Sequence, residues 1–182
     1  MILIGVLRDL ILGYMTAGNE SRYSDPLSVC RRLIVKLRTA IGEDCQMADL
    51  KGHATAMVEA FNNNDLDKYM NLAGSAVYNE LGTGRSLSGN DLKEALAGWR
   101  TAFSDVTGTI TNTIVLGDQV VQEITWAGTH DGPLATPDGE IPASGNHQTT
   151  PAVIVSEYEG DQLKESRHYF DLMSLMAQIG AI

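Results

Sequence analysis

Cysteine is almost missing from this chain. Cys30 and Cys45 are the only two in 182 residues, and they form no CxxC pair. Neither a disulfide framework nor a zinc site is suggested. Basic residues are also scarce, with 13 Lys and Arg against 23 Asp and Glu and a formal net charge of -10. Phosphate backbones are gripped by cations clustered on one face, and no such cluster follows residue 46, so a nucleic-acid partner is not expected. The early run RRLIVKLR (31–38) reads as the solvated face of a helix, with a membrane-surface or partner-binding helix as the alternative.

Long apolar runs are lacking too. The opening MILIGVLRDLILG is broken by Arg8 and Asp9 and has no basic leader, so it is read as neither signal peptide nor membrane span, and a cytoplasmic location is the default. The histidines (His53, His130, His147, His168) never approach metal-ligand spacing, and no βαβ unit surrounds the GxG of LGTGRSLSG. No metal, nucleotide or other cofactor is expected.

What is present divides at Met47. Residues 1–46 carry six basic and five acidic residues, while 47–182 carry seven and 18. The first stretch is read as an N-terminal extension, with a helical pair over Leu3–Tyr14 and Leu27–Ile41 as the alternative. The second is read as one domain. Asp49 can cap a helix whose Leu50, Ala54, Met57, Val58 and Phe61 form one stripe, and Asp65 can cap a short second helix after the break NNNDL. AVYNEL (76–81) reads as a strand, GTGRSLSG as a flexible loop, and Asn90 or Asp91 as the start of a helix bearing Leu92, Leu96, Trp99 and Phe103.

From Val106 the period becomes two, in TGTITNTIVL, QVVQEITWAGTH, TTPAVIVSEYE and QLKESRHYFD. Tight antiparallel turns are expected at Gly117-Asp118 and Gly160-Asp161, and the long Pro- and Gly-rich loop 131–148 is a candidate functional segment. Helices followed by consecutive strands predict an α+β domain, its helices packed on one face of a strongly bent antiparallel sheet with a concave pocket. In SRHYFD the alternation puts Arg167, Tyr169 and Asp171 on one face and His168 and Phe170 on the other. Asp171 is read as either a helix N-cap or a catalytic acid/base, and His168 as structural.

The stretches WRTAFSDVTGTITNTIVLGDQVVQEITWAGTHDG (99–132), IPASGN (141–146) and LKESRHYFDLMSLMAQIG (163–180) resemble the SnoaL-like polyketide cyclases, or ester cyclases. The shared elements are Phe103-Ser104-Asp105, Gly117-Asp118, the GTHDG from Gly128 to Gly132, Pro142-Ala143-Ser144-Gly145, and Asp171 with Gln178 and Gly180. Ser104 and Ala143-Ser144 depart from the family's usual Pro and Pro-Thr. The resemblance implies a cone-shaped α+β barrel of the nuclear transport factor 2 and ketosteroid isomerase type. It also implies ring closure by intramolecular aldol condensation of a hydrophobic polyketide ester, without metal or nucleotide, with Asp171 moving the proton.

Such chemistry needs a carboxyl group in an apolar pocket and hydrogen-bond donors beside the developing enolate. His130 is the second catalytic candidate, since an imidazole at a strand end can orient a carbonyl or relay a proton. Arg167 and Tyr169 are candidate donors to substrate, and Trp99 and Trp126 candidate pocket walls. A non-catalytic ligand-binding or association module is the alternative from another class. Epoxide hydrolase-like water activation, with Glu123 as the second carboxylate, is a third. A homodimer is expected because neither face of VVQEITWAG is strongly polar.

Overall fold

Short acids start three of the four described helices. The computed structural model describes residues 49–136 and 139–182; the expectations for 1–46, including helices Leu3–Tyr14 and Leu27–Ile41, lie outside them. Asp49 accepts from the Gly52 N–H at 2.8 Å and opens α1 (Leu50–Asn62). Asp65 accepts from the Lys68 N–H at 2.9 Å and opens α2 (Leu66–Ala73). Each satisfies an orphan donor of a first turn. The strand β1 (Val77–Glu80) follows. The expected flexible loop is instead partly ordered as β2 (Arg85–Leu87), paired antiparallel with β1. The third helix, α3 (Gly89–Ala102), starts just ahead of the expected residues, with Ser88 at its N-cap.

The period-two segments form β3 (Thr107–Leu116), β4 (Gln119–Thr129), β7 (His147–Glu159) and β8 (Gln162–Phe170), and the long loop folds in part as the hairpin of β5 (Leu134–Thr136) with β6 (Gly139–Ile141). Gly117 and Gly160 take the left-handed conformation at φ 58° and 65° where the long strands reverse, a region in which glycine meets no Cβ penalty. The six-stranded sheet runs β2-β1-β8-β7-β4-β3. It is not wholly antiparallel, because β1 lies parallel to β8, with Glu80 beside His168. Consecutive strands reverse by hairpins, but β1 and β8 sit at opposite ends of the domain sequence and need no tight connection. Register breaks at Ile110/Asn112 and Glu157/Tyr158 bend the strands locally. The last helix, α4 (Leu172–Ile179), ends at Gly180, which is left-handed at φ 77°.

The cavity-facing side chains of β4, β7 and β8 have even numbers. Val120, Gln122, Ile124, Ala152, Ser156, Ser166 and His168 are buried, whereas Glu123, Pro151 and Tyr169 on the other parity are exposed or half-exposed. The stripe of α1, Leu92 and Leu96 of α3, and Leu175 and Ile179 of α4 complete one hydrophobic core with the inward face. Among the described residues no helix is long and apolar enough to cross a membrane.

Candidate active site

The parity of β8 decides what enters the concavity. Ser166, His168 and Phe170 line a cavity of about 90 Å³ between the sheet and the helices. Register carries one row of side chains across four strands, from Gln122 on β4 through Ile154 on β7 and His168 on β8 to Glu80 on β1. Met57 and Phe61 of α1, with Leu96 and Trp99 of α3, make the opposite wall apolar.

The hydrogen bonds of His168 set its tautomer. The Trp126 indole N–H donates to His168 Nε2 at 3.2 Å, and an indole can only donate. Nε2 is therefore an acceptor, so Nδ1 carries the proton and donates to the Tyr78 hydroxyl oxygen, 2.6 Å away. Burial pushes the His168 pKa down to about 4, against a smaller opposing effect of Glu80. The ring is neutral at physiological pH. Tyr78 consequently keeps its own O–H hydrogen, for which the described residues supply no acceptor. Burial raises its pKa well above the ordinary value, so the phenol stays protonated.

Glu80 is 2 % exposed. Its Oε2 accepts from Thr83 Oγ1 at 2.5 Å and from Arg85 Nε and Nη2 at 2.8 and 2.5 Å. Among the described residues its Oε1 accepts only from the Trp99 indole, at 2.8 Å. A carboxylate has about four acceptor positions, two on each oxygen, so Oε1 retains one. A hydroxyl donor and a carboxylate acceptor thus share one apolar cavity, the pairing that abstraction of a proton next to a carbonyl requires.

Of the residues selected from sequence, Trp99 and Trp126 line this cavity and the other four do not. Asp171 is exposed and accepts from the Ser174 N–H at 2.9 Å as the N-cap of α4. With Tyr169, Glu123, Thr125, Pro151 and Val153 it borders a shallow depression on the outer face of the sheet. Arg167 lies on that face too, ion-paired with Glu157 at 2.7 Å and Glu165 at 3.0 Å. The expectation that the Arg167–Tyr169–Asp171 face lines the pocket is therefore corrected, and His168, read as structural, lines it, held between Trp126 and Tyr78. A shift of one residue in parity exchanges the faces of a strand.

His130 is wholly buried but is not among the cavity residues. Its Nδ1 accepts from the Ser144 N–H at 3.3 Å and lies 3.2 Å from the Ser144 hydroxyl, and its ring packs on Phe103 at 5.2 Å. Burial lowers its pKa. The surrounding motif is a clasp. Asp105 accepts from the Thr129 N–H at 2.6 Å and its hydroxyl at 2.9 Å, while Asp131 accepts from the N–H (2.9 Å) and hydroxyl of Ser104. At Gly132 a Cβ would stand 2.0 Å from the Thr101 carbonyl oxygen, so only glycine fits. Gln178 docks α4 on β7, donating to the Thr149 carbonyl at 3.1 Å and accepting from the Thr149 N–H at 2.8 Å. Sequence reasoning missed Tyr78, Glu80 and Gln122. The signal available was the pair of polar side chains two apart in AVYNEL, which alternation puts on one face. Among the described residues, no three His, Cys, Asp or Glu come together as a metal site.

The model of the SnoaL-like polyketide cyclase family matches residues 51–179. The chain belongs to that family. No curated relative matches, but solved structures do. AclR from Streptomyces galilaeus, a candidate hydroxylase, is 20% identical over 75% of this chain and 99% of its own, with a TM-score of 0.64. IdmH from Streptomyces antibioticus, a candidate polyketide cyclase, is 22% identical over 72% of this chain and 99% of its own, with a TM-score of 0.62. A protein of ketosteroid isomerase-like fold from Catenulispora acidiphila, crystallised with trimethylamine, is 21% identical over 70% of this chain and 92% of its own, with a TM-score of 0.59. At these identities the likeness is one of fold, the nuclear transport factor 2 and ketosteroid isomerase type of helices on a curved sheet.

Proposed function

We propose that this SnoaL-like protein is a cofactor-independent cyclase or isomerase that enolises a small hydrophobic carbonyl compound, with Glu80 as the base and Tyr78 as the donor to the carbonyl oxygen. One observation carries the reading: a lone pair on Glu80 Oε1 and the hydroxyl hydrogen of Tyr78 are both left without partners among the described residues, in the same apolar cavity. Glu80 Oε1 takes a proton from the carbon next to the carbonyl. The electron pair of that C–H bond passes to the carbonyl oxygen, which accepts the Tyr78 O–H as charge develops. In ring closure the enolate carbon attacks a second carbonyl of the same molecule, and the resulting alkoxide recovers the proton from Glu80. His168 is a positioning residue. Its Nδ1–H holds the Tyr78 oxygen so that the hydroxyl hydrogen is directed elsewhere.

The test is α-proton exchange into deuterated water, followed by NMR on an aromatic polyketide methyl ester. Glu80→Gln is expected to slow exchange by two orders of magnitude or more and Tyr78→Phe by about 10²-fold, the scales of general-base and oxyanion-donor assistance. Wild-type exchange no faster than in buffer refutes the enzymatic reading and favours a ligand-binding module of the same fold. Exchange undiminished in Glu80→Gln refutes the choice of base.

We also propose that the protein is a homodimer through the outer face of the sheet. Support comes from Ile114 and Tyr169, which are 53% and 45% exposed, and from Val121, Val153 and Val155 beside them, which are only half-buried.

A further inference from the structure

Several polar groups facing the cavity are paired within the protein. Thr150 donates to Gln148 Oε1 at 2.6 Å, and the hydroxyls of Ser156 and Ser166 lie 3.3 Å apart. Glu80, Tyr78 and His168 are engaged as described above. Among the described lining residues, Gln122 alone buries a side-chain nitrogen that has no hydrogen-bond partner. It is 2 % exposed, its Nε2 is buried without a hydrogen-bond partner, and it lines the cavity. A primary amide is costly to bury unpaired, because its hydrogens give up water and receive nothing in return. Its terminal torsion is broad, so the amide can turn to present its N–H to the cavity.

Position adds to this. Gln122 begins the row that runs through Ile154 to His168 and Glu80. Neighbouring strands are roughly 4.8 Å apart, so Gln122 and His168 enter the cavity side by side from backbones about 10 Å apart, with Ile154 between them, a span that a six-membered ring and its substituents can bridge. The Tyr78 oxygen is held at His168. A ligand whose first oxygen takes the Tyr78 hydroxyl therefore brings an oxygen on its opposite side to Gln122.

We propose that Gln122 is a substrate-binding residue that donates through Nε2 to a second oxygen of the substrate, so that the site selects compounds bearing two oxygen functions on opposite sides of a ring-sized apolar body. This inference rests on the function proposed above. In ring closure the second oxygen belongs to the carbonyl under attack, and Gln122 would hold it as it becomes an alkoxide.

The probes are 4-methoxyphenol and 4-ethylphenol, of nearly equal shape and acidity, which differ in the second oxygen. Dissociation constants come from the quenching of Trp99 and Trp126 fluorescence in wild type and in Gln122→Leu. The ratio of the two constants is compared between proteins, which cancels the difference in probe hydrophobicity. The wild-type ratio is expected to favour 4-methoxyphenol by about tenfold more than the variant ratio does, the change one hydrogen bond makes. In wild type, the side-chain amide protons of Gln122 should move downfield with 4-methoxyphenol beyond any movement caused by 4-ethylphenol, a readout that stands even if the variant fails to fold. Equal ratios, or amide shifts that are equal for both probes or absent with both, overturn the role of Gln122 while leaving the cavity a binding site. Failure of both probes to bind at all overturns the functional reading of the cavity, and this proposal with it.

Discussion

Stability should fall by about 2 kcal/mol between pH 7 and pH 5 on account of one histidine, and the variant His168→Gln should lose that dependence. In the unfolded chain an imidazole binds a proton near its ordinary value of 6.5, whereas in the fold burial holds His168 to about 4. Between those values unfolding takes up a proton, so acid favours the unfolded state. The contribution is fully present above the unfolded value, is lost progressively as pH falls from 6.5 to 4, and changes no further below that. His130 shifts in the same direction, as does any acid with a lowered pKa, so the comparison with a variant is essential. Glutamine keeps a donor and an acceptor for Tyr78 and Trp126 but does not titrate. Urea denaturation of both proteins at pH 7 and pH 5 supplies the numbers, and any loss of contacts in the variant appears equally at both pH values. An equal pH-dependent loss in the two proteins would refute the buried, neutral imidazole, and with it the tautomer that frees the Tyr78 hydroxyl.

Asp171→Asn should leave both stability and turnover nearly unchanged, since asparagine caps about as well as aspartate, while Asp171→Ala should destabilise by about 0.5–2 kcal/mol with turnover per folded molecule intact. Thermal melts with the exchange assay check this, and a large fall in exchange in the Asn variant would return Asp171 to the chemistry. Light scattering at micromolar concentration should report a dimer, and Val155→Glu, which puts a charge in the middle of the outer face, should report a monomer. A wild-type monomer removes the proposal.

Much of this architecture was legible from local physics. Asp49, Asp65 and Asp171 each start a helix because a short carboxylate reaches an orphan N–H of the first turn, and the neighbours read only to residue three or four decide it. The long strands follow from period-two side chains and the glycine turns between them. The motifs of the family resemblance were also visible; GTHDG carries a clasp between β4 and the end of α3, and its His130 is buried away from the cavity lining. That clasp joins Ser104 and Asp105 to Thr129 and Asp131, side chains whose meeting depends on how the sheet lies against α3.

The make-up of the candidate site depended on two things that no local pattern contains. Alternation in SRHYFD separates Arg167, Tyr169 and Asp171 from Ser166, His168 and Phe170, but it is symmetric with respect to which set is covered. An ionisable face looks like a site and a His-Phe face looks like core, until α1 and α3 pack over the even residues and leave the odd ones outside. The parallel pairing of β1 with β8 then brings Tyr78 and Glu80 beside His168 from about 90 positions away. Sequence by itself determined the elements, their caps and the two faces of every strand, because those are set by neighbours along the chain. Only the tertiary structure decided which face became the cavity wall, because burial belongs to the surfaces that meet and those come from opposite ends of the domain.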